Sequence, residues 1–540
     1  MNEKMKRDRV KGFLDVKDGK LVNGDGEEIL LTGWGLGNWM LCEGYMWKSF
    51  GSPRFDRPRR IEATLEELAG KEYMESFWTR FHDNYITESD VRAMAEQGYN
   101  SVRVPLGYRL FMEDGEGITW VEEGFRLLDR LIDWCEKYKL YVIIDLHGAP
   151  GGQTGANIDD CIDDMPRLFM DQHNFDKGIA LWERIAERYK DRWIVGGYDL
   201  LNEPLRPRRG ERDTDLEYLI PRLVEFYEKA IAAIRALGDK HVFTLEGHHW
   251  ATELDVFCKK YDERTILHFH RYGVMPDKDC MRPYVETARR WNFPLWLGET
   301  GENSLEWFTA LYPLASEMGI GWNLWPWKKM DTDNSPCSVK MPEGWKNLID
   351  YTRGGPHPGY EEARRMLDEY LENMKFENCV QNDKVKPAVF RQPGCTVRAV
   401  DFDEFPGKGI SFSGSRREET TCRYRVGSCM KIVNTQPKRE RKRGFDSMWD
   451  RFVLEMEAGE FVDYSLNDIA EGSTLQLKWR AVQDAKVVVM QDGEVLAEIA
   501  QNIAEEAVTT EKIALRASEG SRIRVSVSQG VVQIEELITE

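Results

Sequence analysis

No apolar run in the 540 residues is long enough to span a bilayer. The amino terminus, Met1-Asn-Glu-Lys-Met-Lys-Arg-Asp-Arg-Val10, is charged and lacks the apolar stretch of a secretory signal. A membrane partner is therefore not expected, and a cytoplasmic location is. The ten cysteines contain no CxxC pair, and without an export signal they read as reduced thiols, some serving as small buried hydrophobes. Positive charge is in deficit, with 74 Lys and Arg against 93 Asp and Glu, a formal net charge of −19 that argues against nucleic acid or an anionic membrane surface as a partner. A dinucleotide cofactor is not expected either. Gly33-Trp-Gly-Leu-Gly37 is glycine-rich, but no helix follows it.

What is plentiful is aromatic surface: 18 Trp, and aromatics at 11% of the chain, enough for a large core and for stacking on flat apolar faces such as sugar rings. The length implies two domains. Over 1–378, short β-branched runs alternate with amphipathic segments. After a hairpin (13–16 and 20–22, with its turn at Asn23-Gly-Asp-Gly26), strands are expected at 29–35, 101–106, 141–147, 198–203, 241–247, 266–272, 295–299 and 321–327. Helical patterns lie at 88–97, 124–138, 175–188, 215–237, 279–291, 304–318 and 360–374, and Thr87 with Asp90 reads as an N-cap and its acidic partner. Eight strand–helix alternations predict a (β/α)₈ barrel, and a doubly wound sheet would carry a better phosphate loop. Residues 379–394 read as a polar, proline-containing linker, and 395–540 as an all-β, jelly-roll-like sandwich with strands at 452–456, 461–466, 474–480, 486–491, 512–515, 522–528 and 531–537. The basic run Lys438-Arg-Glu-Arg-Lys-Arg443 reads as a solvated loop.

Barrel enzymes collect their chemistry at the carboxyl ends of the strands. That filter selects Arg103 on the second strand, His147 on the third, Asn202 and Glu203 on the fourth, and His248 and Trp250 after the fifth. It also selects His268, His270 and Tyr272 on the sixth, Glu299 on the seventh, and Trp325 with Trp327 on the eighth. Residues 268, 270 and 272 share a face by strand parity. Two carboxyl groups on one rim are the minimal equipment for cutting a glycosidic bond, one holding a proton for the leaving oxygen and the other ionised beneath the sugar ring. His268-Phe-His270 also resembles a metal-binding pair, but the first strand offers Trp and Asn and the eighth offers Trp, so neither metal nor cofactor is expected. Glu246, His249 and Glu302, also near strand ends, read as supporting or surface residues.

These motifs resemble glycoside hydrolase family 5, the cellulase-like retaining β-glycosidases, over residues 12–375. Asn202-Glu203-Pro204 matches the acid/base motif, Trp296-Leu-Gly-Glu299 the nucleophile strand, Arg103, His147, His270 and Tyr272 the ring around them, and Trp325 the aromatic floor. The resemblance implies double displacement, with Glu203 as acid/base and Glu299 as nucleophile, and Asn202 on the sugar 2-hydroxyl. Within the family, Asp145-Leu-His-Gly-Ala-Pro-Gly-Gly-Gln153 and Gly37-Asn-Trp-Met-Leu-Cys-Glu43 look most like the exo-β-glucanase and β-glucosidase branch, which implies that Glu43 binds hydroxyls of the terminal glucose and that Trp39 is a substrate-binding or supporting residue. Long loops at 38–86, 148–173 and 328–357 would wall a pocket and favour a small β-glucoside or β-linked oligosaccharide as the partner molecule. Asn157-Ile-Asp-Asp160 departs from the fungal exo-glucanase pattern. An endo-β-1,4-glucanase, a glycosylceramidase-like hydrolase and a non-catalytic sugar-binding scaffold stay open as alternatives. The sandwich resembles family 6-like carbohydrate-binding modules through Val400-Asp-Phe-Asp-Glu-Phe405 and Glu460-Phe-Val-Asp-Tyr464, with Trp449, Tyr464 and Trp479 as its aromatics. A packing or homo-oligomer-forming role fits that domain equally well.

Overall fold

The computed structural model describes residues 3–404, 411–415, 422–435, 445 and 449–540. Its first part is a closed barrel of eight parallel strands: β1 (Thr32–Gly35), β2 (Ser101–Gly107), β3 (Tyr141–Gly148), β4 (Val195–Asp199), β5 (Val242–Glu246), β6 (Thr265–Arg271), β7 (Leu295–Gly301) and β8 (Gly321–Trp325). Closure is made by β8, whose Trp322 lies opposite Thr32 of β1 and Leu297 of β7. Helices cover the outside, so strands such as Tyr141–Gly148 are buried on both faces and read as continuous apolar runs rather than alternating ones. Thr87 and Asp90 form the expected capping box at the head of helix Glu88–Glu96, the Thr87 N–H donating to Asp90 Oδ2 at 2.9 Å. No helix among the described residues is long and apolar enough to cross a membrane, and all ten cysteines are free.

Three sequence expectations are corrected. Strand β4 stops at Asp199 rather than at 203: the chain leaves the ladder, and Glu203 takes a left-handed φ of 42°. Strand β8 breaks at Pro326, which has no N–H to give, before the Trp327 N–H returns to the Gly35 carbonyl at 3.0 Å. The stretch 38–86 is not an open loop. It holds helices Pro58–Ala69 and Lys71–Tyr85, separated by Gly70, which bury Ile61, Leu65, Leu68, Phe77, Phe81 and Tyr85.

The insertions after β1, β3 and β8 are tied to one another. Trp345 Nε1 donates to the Trp47 carbonyl at 2.9 Å with the two indoles stacked, and Ser52 Oγ donates to the Thr352 carbonyl at 2.8 Å. Arg57 donates to the Cys161 carbonyl at 2.9 Å, and the Arg59 N–H donates to Asp160 Oδ1, also at 2.9 Å. A continuous wall therefore rises on the carboxyl side of the barrel.

The connection over 379–394 is structured. Its helix Val385–Phe390 packs on helix Leu305–Glu317, and Phe390 places its ring against Tyr99 and Trp322 at the base of the barrel. Two antiparallel sheets follow. One carries Lys431–Asn434, Phe452–Glu457, Val531–Thr539 and Thr474–Ala481; the other carries Phe461–Ile469, Ser518–Gln529, Ala485–Gln491 and Glu494–Gln501. Strict alternation along Thr474–Ala481 sends Leu475, Leu477, Trp479 and Ala481 into the core. Trp449, Tyr464 and Trp479 are all buried, with Trp449 Nε1 donating to Asp401 Oδ2 at 2.9 Å and Tyr464 donating to the Ala399 carbonyl at 2.6 Å. These aromatics build the sandwich and offer no face to a sugar. The basic run at 438–443 and residue 405 lie outside the described residues.

Candidate active site

At the centre of the barrel's carboxyl end stands Arg103, third residue of β2 and wholly buried. Its Nε donates to Asp199 at 2.8 Å, Nη1 to Glu299 Oε2 at 2.6 Å, and Nη2 to Asn202 Oδ1 at 2.8 Å and Glu246 Oε1 at 3.1 Å; Asp145 Oδ2 is also 3.1 Å from Nη2. One guanidinium thus serves four carboxylates, a task its rigid five-donor fork suits and a lysine ammonium does not. Burying so much charge is costly, and each carboxylate meets that cost through at least one oxygen held by Arg103, while burial pushes Asp145 well towards its neutral form.

Glu299 is gripped from two sides. Arg103 takes Oε2, and the Tyr272 hydroxyl donates to Oε1 at 3.0 Å. Burial alone would push the Glu299 carboxyl up; His270 and Arg103, together with the Tyr272 bond, overcome it and hold the group below the ordinary glutamate value. Glu203 follows β4 on its left-handed turn, with its N–H on Glu246 Oε2 at 2.6 Å and its carbonyl receiving Thr154 Oγ1 at 2.7 Å. Its Oε1 lies 2.7 Å from His270 Nδ1. Burial would neutralise His270, but Glu246, Glu299 and the bonded Glu203 keep its imidazole charged well above the usual histidine range. A carboxylate oxygen of Glu203, one of Glu299 and a ring nitrogen of His270 all lie within 4.8 Å of one another.

The flanks are equally fixed. His147 Nδ1 donates to Asp145 Oδ2 at 2.8 Å, which leaves Nε2 to accept the Asn202 amide at 3.1 Å; burial lowers its pKa to about 4, so the ring is neutral. Trp325 lies parallel to that imidazole, centroids 5.2 Å apart and planes 1° apart, and donates through Nε1 to Tyr45 at 2.9 Å. The glycine-rich β1 stretch explains itself here. A Cβ on Gly35 would sit 2.4 Å from Trp325 Cε3, and one on Gly37 would sit 2.6 Å from Cζ2. The glycines make a slot for an indole, not a cradle for phosphate.

Glu43 joins this group. Burial, then repulsion from Glu299, Glu302 and Glu203, pushes its carboxyl well above the usual range. Glu302 itself pairs with Lys329. Two further carboxyl groups thus stand on the same side as Glu299, Glu43 held towards its neutral form and Glu302 paired with a lysine.

Three of the residues selected from sequence are placed elsewhere. Trp39 is fully buried and donates to the His82 carbonyl at 2.9 Å, so neither of its faces is open to a sugar. His248 is buried in the turn after β5, its ring against His249 and its Nε2 3.8 Å from Asp255. Trp250 in the same turn is 39% exposed, on a left-handed φ of 58°. Conversely, Glu246, read as supporting or superficial, is fully buried between Arg103, His270 and the Glu203 backbone. Sets of ligand-type atoms within 4.8 Å of one another occur at Glu246–His268–His270, Glu203–His270–Glu299 and Glu217–His248–His249; the first two are already engaged in the hydrogen bonds above, His268 Nε2 lying 3.0 Å from His270 Nε2.

With this geometry in place, comparison with known proteins is direct. The family model described as Cellulase (glycosyl hydrolase family 5) matches residues 65–331, from helix Pro58–Ala69 past the end of β8. A beta-xylosidase of Phanerodontia chrysosporium is 33% identical over 302 residues, 55% of this chain and 59% of the relative, so this chain matches somewhat over half of that protein's length. An Acetivibrio thermocellus endoglucanase C is 24% identical over 48% of this chain and 90% of its own. A glucan 1,3-beta-glucosidase of Schwanniomyces occidentalis is 31% identical over 320 residues, which make up 56% of this chain and 72% of the relative. A barrel that brings two glutamates together at its carboxyl end, the family match over β2 to β8 and this last relative agree: the chain belongs to glycosyl hydrolase family 5.

Proposed function

We propose that this protein hydrolyses β-D-glucosidic bonds with retention of configuration, acting from the non-reducing end on small β-glucosides or β-gluco-oligosaccharides. The observation that carries the reading is the approach of the Glu203 and Glu299 carboxylates to within 4.8 Å at their nearest oxygens. Retaining enzymes hold the two groups about 5–5.5 Å apart, whereas inverting ones need roughly 6.5–9.5 Å to admit a water.

Glu299, held ionised by Arg103 and Tyr272, attacks the anomeric carbon while Glu203 gives its proton to the departing oxygen. Glu203 then takes a proton from the water that releases the sugar. The ionised Glu299 stabilises the oxocarbenium character of the transition state in each step. His270, hydrogen-bonded to Glu203 at 2.7 Å, orients the acid/base. The Asn202 amide is held between Arg103 and His147, where a sugar 2-hydroxyl would meet it.

The exo preference rests on the wall formed by the tied insertions, with Glu43 and Tyr45 on its inner side. The glucosidase name of the 31% identical relative supports the same reading. An activated 2-fluoro-β-glucoside should leave a covalent mass on Glu299, and time courses on short β-glucans should release monosaccharide from the start. A label on another residue would overturn the assignment of roles, and early release of mixed oligomers would overturn the exo reading.

A further inference from the structure

Phe445 belongs to the region that follows the barrel, more than 140 positions beyond the seventh strand, yet it sits on the active site. Its ring stacks on Tyr272 with centroids 4.7 Å apart and planes at 30°. Its carbonyl accepts the side-chain amide of Asn303 at 2.9 Å, and Asn303 is buried in the loop after β7, four positions beyond Glu299. Room for the same carbonyl is made by Gly273, which adopts φ 58° and where a Cβ would lie 2.7 Å from the Phe445 oxygen. Three contacts thus converge on one residue, all from the segments just past β6 and β7, the strands whose ends carry Tyr272 and Glu299.

We infer that Phe445 is a positioning residue of the hydrolase, a ring lent by the C-terminal region that covers Tyr272 and keeps its hydroxyl aimed at the nucleophile. The inference rests on the proposed roles of Glu299 and Tyr272. The physical argument is local. Tyr272 reaches Glu299 Oε1 at 3.0 Å from just past the end of β6. An aromatic partner in offset contact fixes the phenol ring and excludes water that would compete for the hydroxyl proton. Phe445 is itself 41% exposed, so one part of its ring faces Tyr272 while another meets solvent. The sandwich would then complete the nucleophile's surroundings rather than act as a detached sugar-binding module.

The test uses the full chain and an aryl β-glucoside. Phe445→Ala should lower kcat/KM about tenfold, the order expected when a hydrogen bond to a charged group is weakened. The acid limb of its pH profile should move to higher pH, because a weaker Tyr272 bond stabilises the Glu299 carboxylate less. Phe445→Tyr, which keeps the ring, should restore both, and thermal unfolding of the variants should track the wild type. Asn303→Ala, which frees the Phe445 carbonyl from the barrel side, should reproduce the shift in part. A Phe445→Ala enzyme with wild-type kcat/KM and an unmoved acid limb would overturn the inference while leaving the hydrolase reading intact. A wild-type protein that turns over no β-glycoside would instead remove the reading on which it stands.

Discussion

Glu246 Oε2 accepts the backbone N–H of Glu203 at 2.6 Å, while its other oxygen lies 3.3 Å from His270 Nε2. A third acid, which touches neither face of a bound sugar in the proposed reaction, therefore anchors the acid/base and charges its histidine. Of the influences raising His270, Glu246 is the largest. Replacing it with Gln removes a negative charge that favours the imidazolium, so His270 should release its proton at lower pH. Imidazole NMR should find the ring protonated through neutrality in the wild type and titrating within the assay range in Glu246→Gln. An unchanged titration would contradict the coupling.

The two principal carboxylates should respond unequally to substitution. Glu299→Gln removes the attacking group and should abolish turnover of every substrate. Glu203→Gln removes proton transfer, worth about 10²–10⁴-fold. It should spare aglycones that leave without protonation, so an aryl glucoside with an acidic phenol should still show a burst of glycosyl-enzyme. Equal loss on acidic and basic leaving groups would contradict the division of labour.

Tyr272→Phe tests how Glu299 is kept ionised. The hydroxyl donates to the carboxylate and is one of the influences that lower its pKa. Without it the charged form is less favoured, the Glu299 pKa rises, and the acid limb of kcat/KM should move up. A hydrogen bond to a charged group is worth about 1.5–3 kcal/mol, and one pKa unit corresponds to about 1.4 kcal/mol, so the shift should be on the order of one pH unit. A limb that stays in place would show that His270 and Arg103 set the ionisation without the Tyr272 bond.

Gly35→Ala probes the floor. The added methyl would fall 2.4 Å from the Trp325 ring, forcing the indole off its stack with His147. Overpacking of this kind costs about 1–3 kcal/mol. The variant should unfold at lower temperature and raise KM, and Gly35→Ala with Trp325→Phe should recover part of the stability. If the single substitution leaves KM untouched, Trp325 is not part of the substrate floor.

The barrel was legible in the chain because fully buried parallel strands read as continuous apolar runs and their helices as amphipathic ones. The glutamate pair was legible because strand ends are the barrel's workplace. The rest was hidden for several reasons, the first being that sequence specifies a strand's period but not the path of the chain after it. Trp39 lies just past β1 at a position that matches the exo-glucanase pattern, yet the turn there directs it into the core. Glu246 ends an otherwise apolar strand, Val242-Phe-Thr-Leu-Glu246, and an acid at that place was a readable signal of a buried role. Helices Pro58–Ala69 and Lys71–Tyr85 carry their apolar residues at helical spacing, but Arg and Glu crowd between them and mask the stripe. Phe445 left no local signal at all, because its meaning is set by contacts with residues 273 and 303.

The single guanidinium of Arg103 has a bearing on how any mutational survey of this enzyme is read. Asp145, Asp199, Glu246 and Glu299 draw on one cation, so neutralising any of them redistributes what the other three receive. Losses measured one residue at a time will sum to more than the site contains. A ranking of these acids by single-variant activity would therefore measure their dependence on a common counter-ion, and only paired substitutions can separate that dependence from participation in the chemistry.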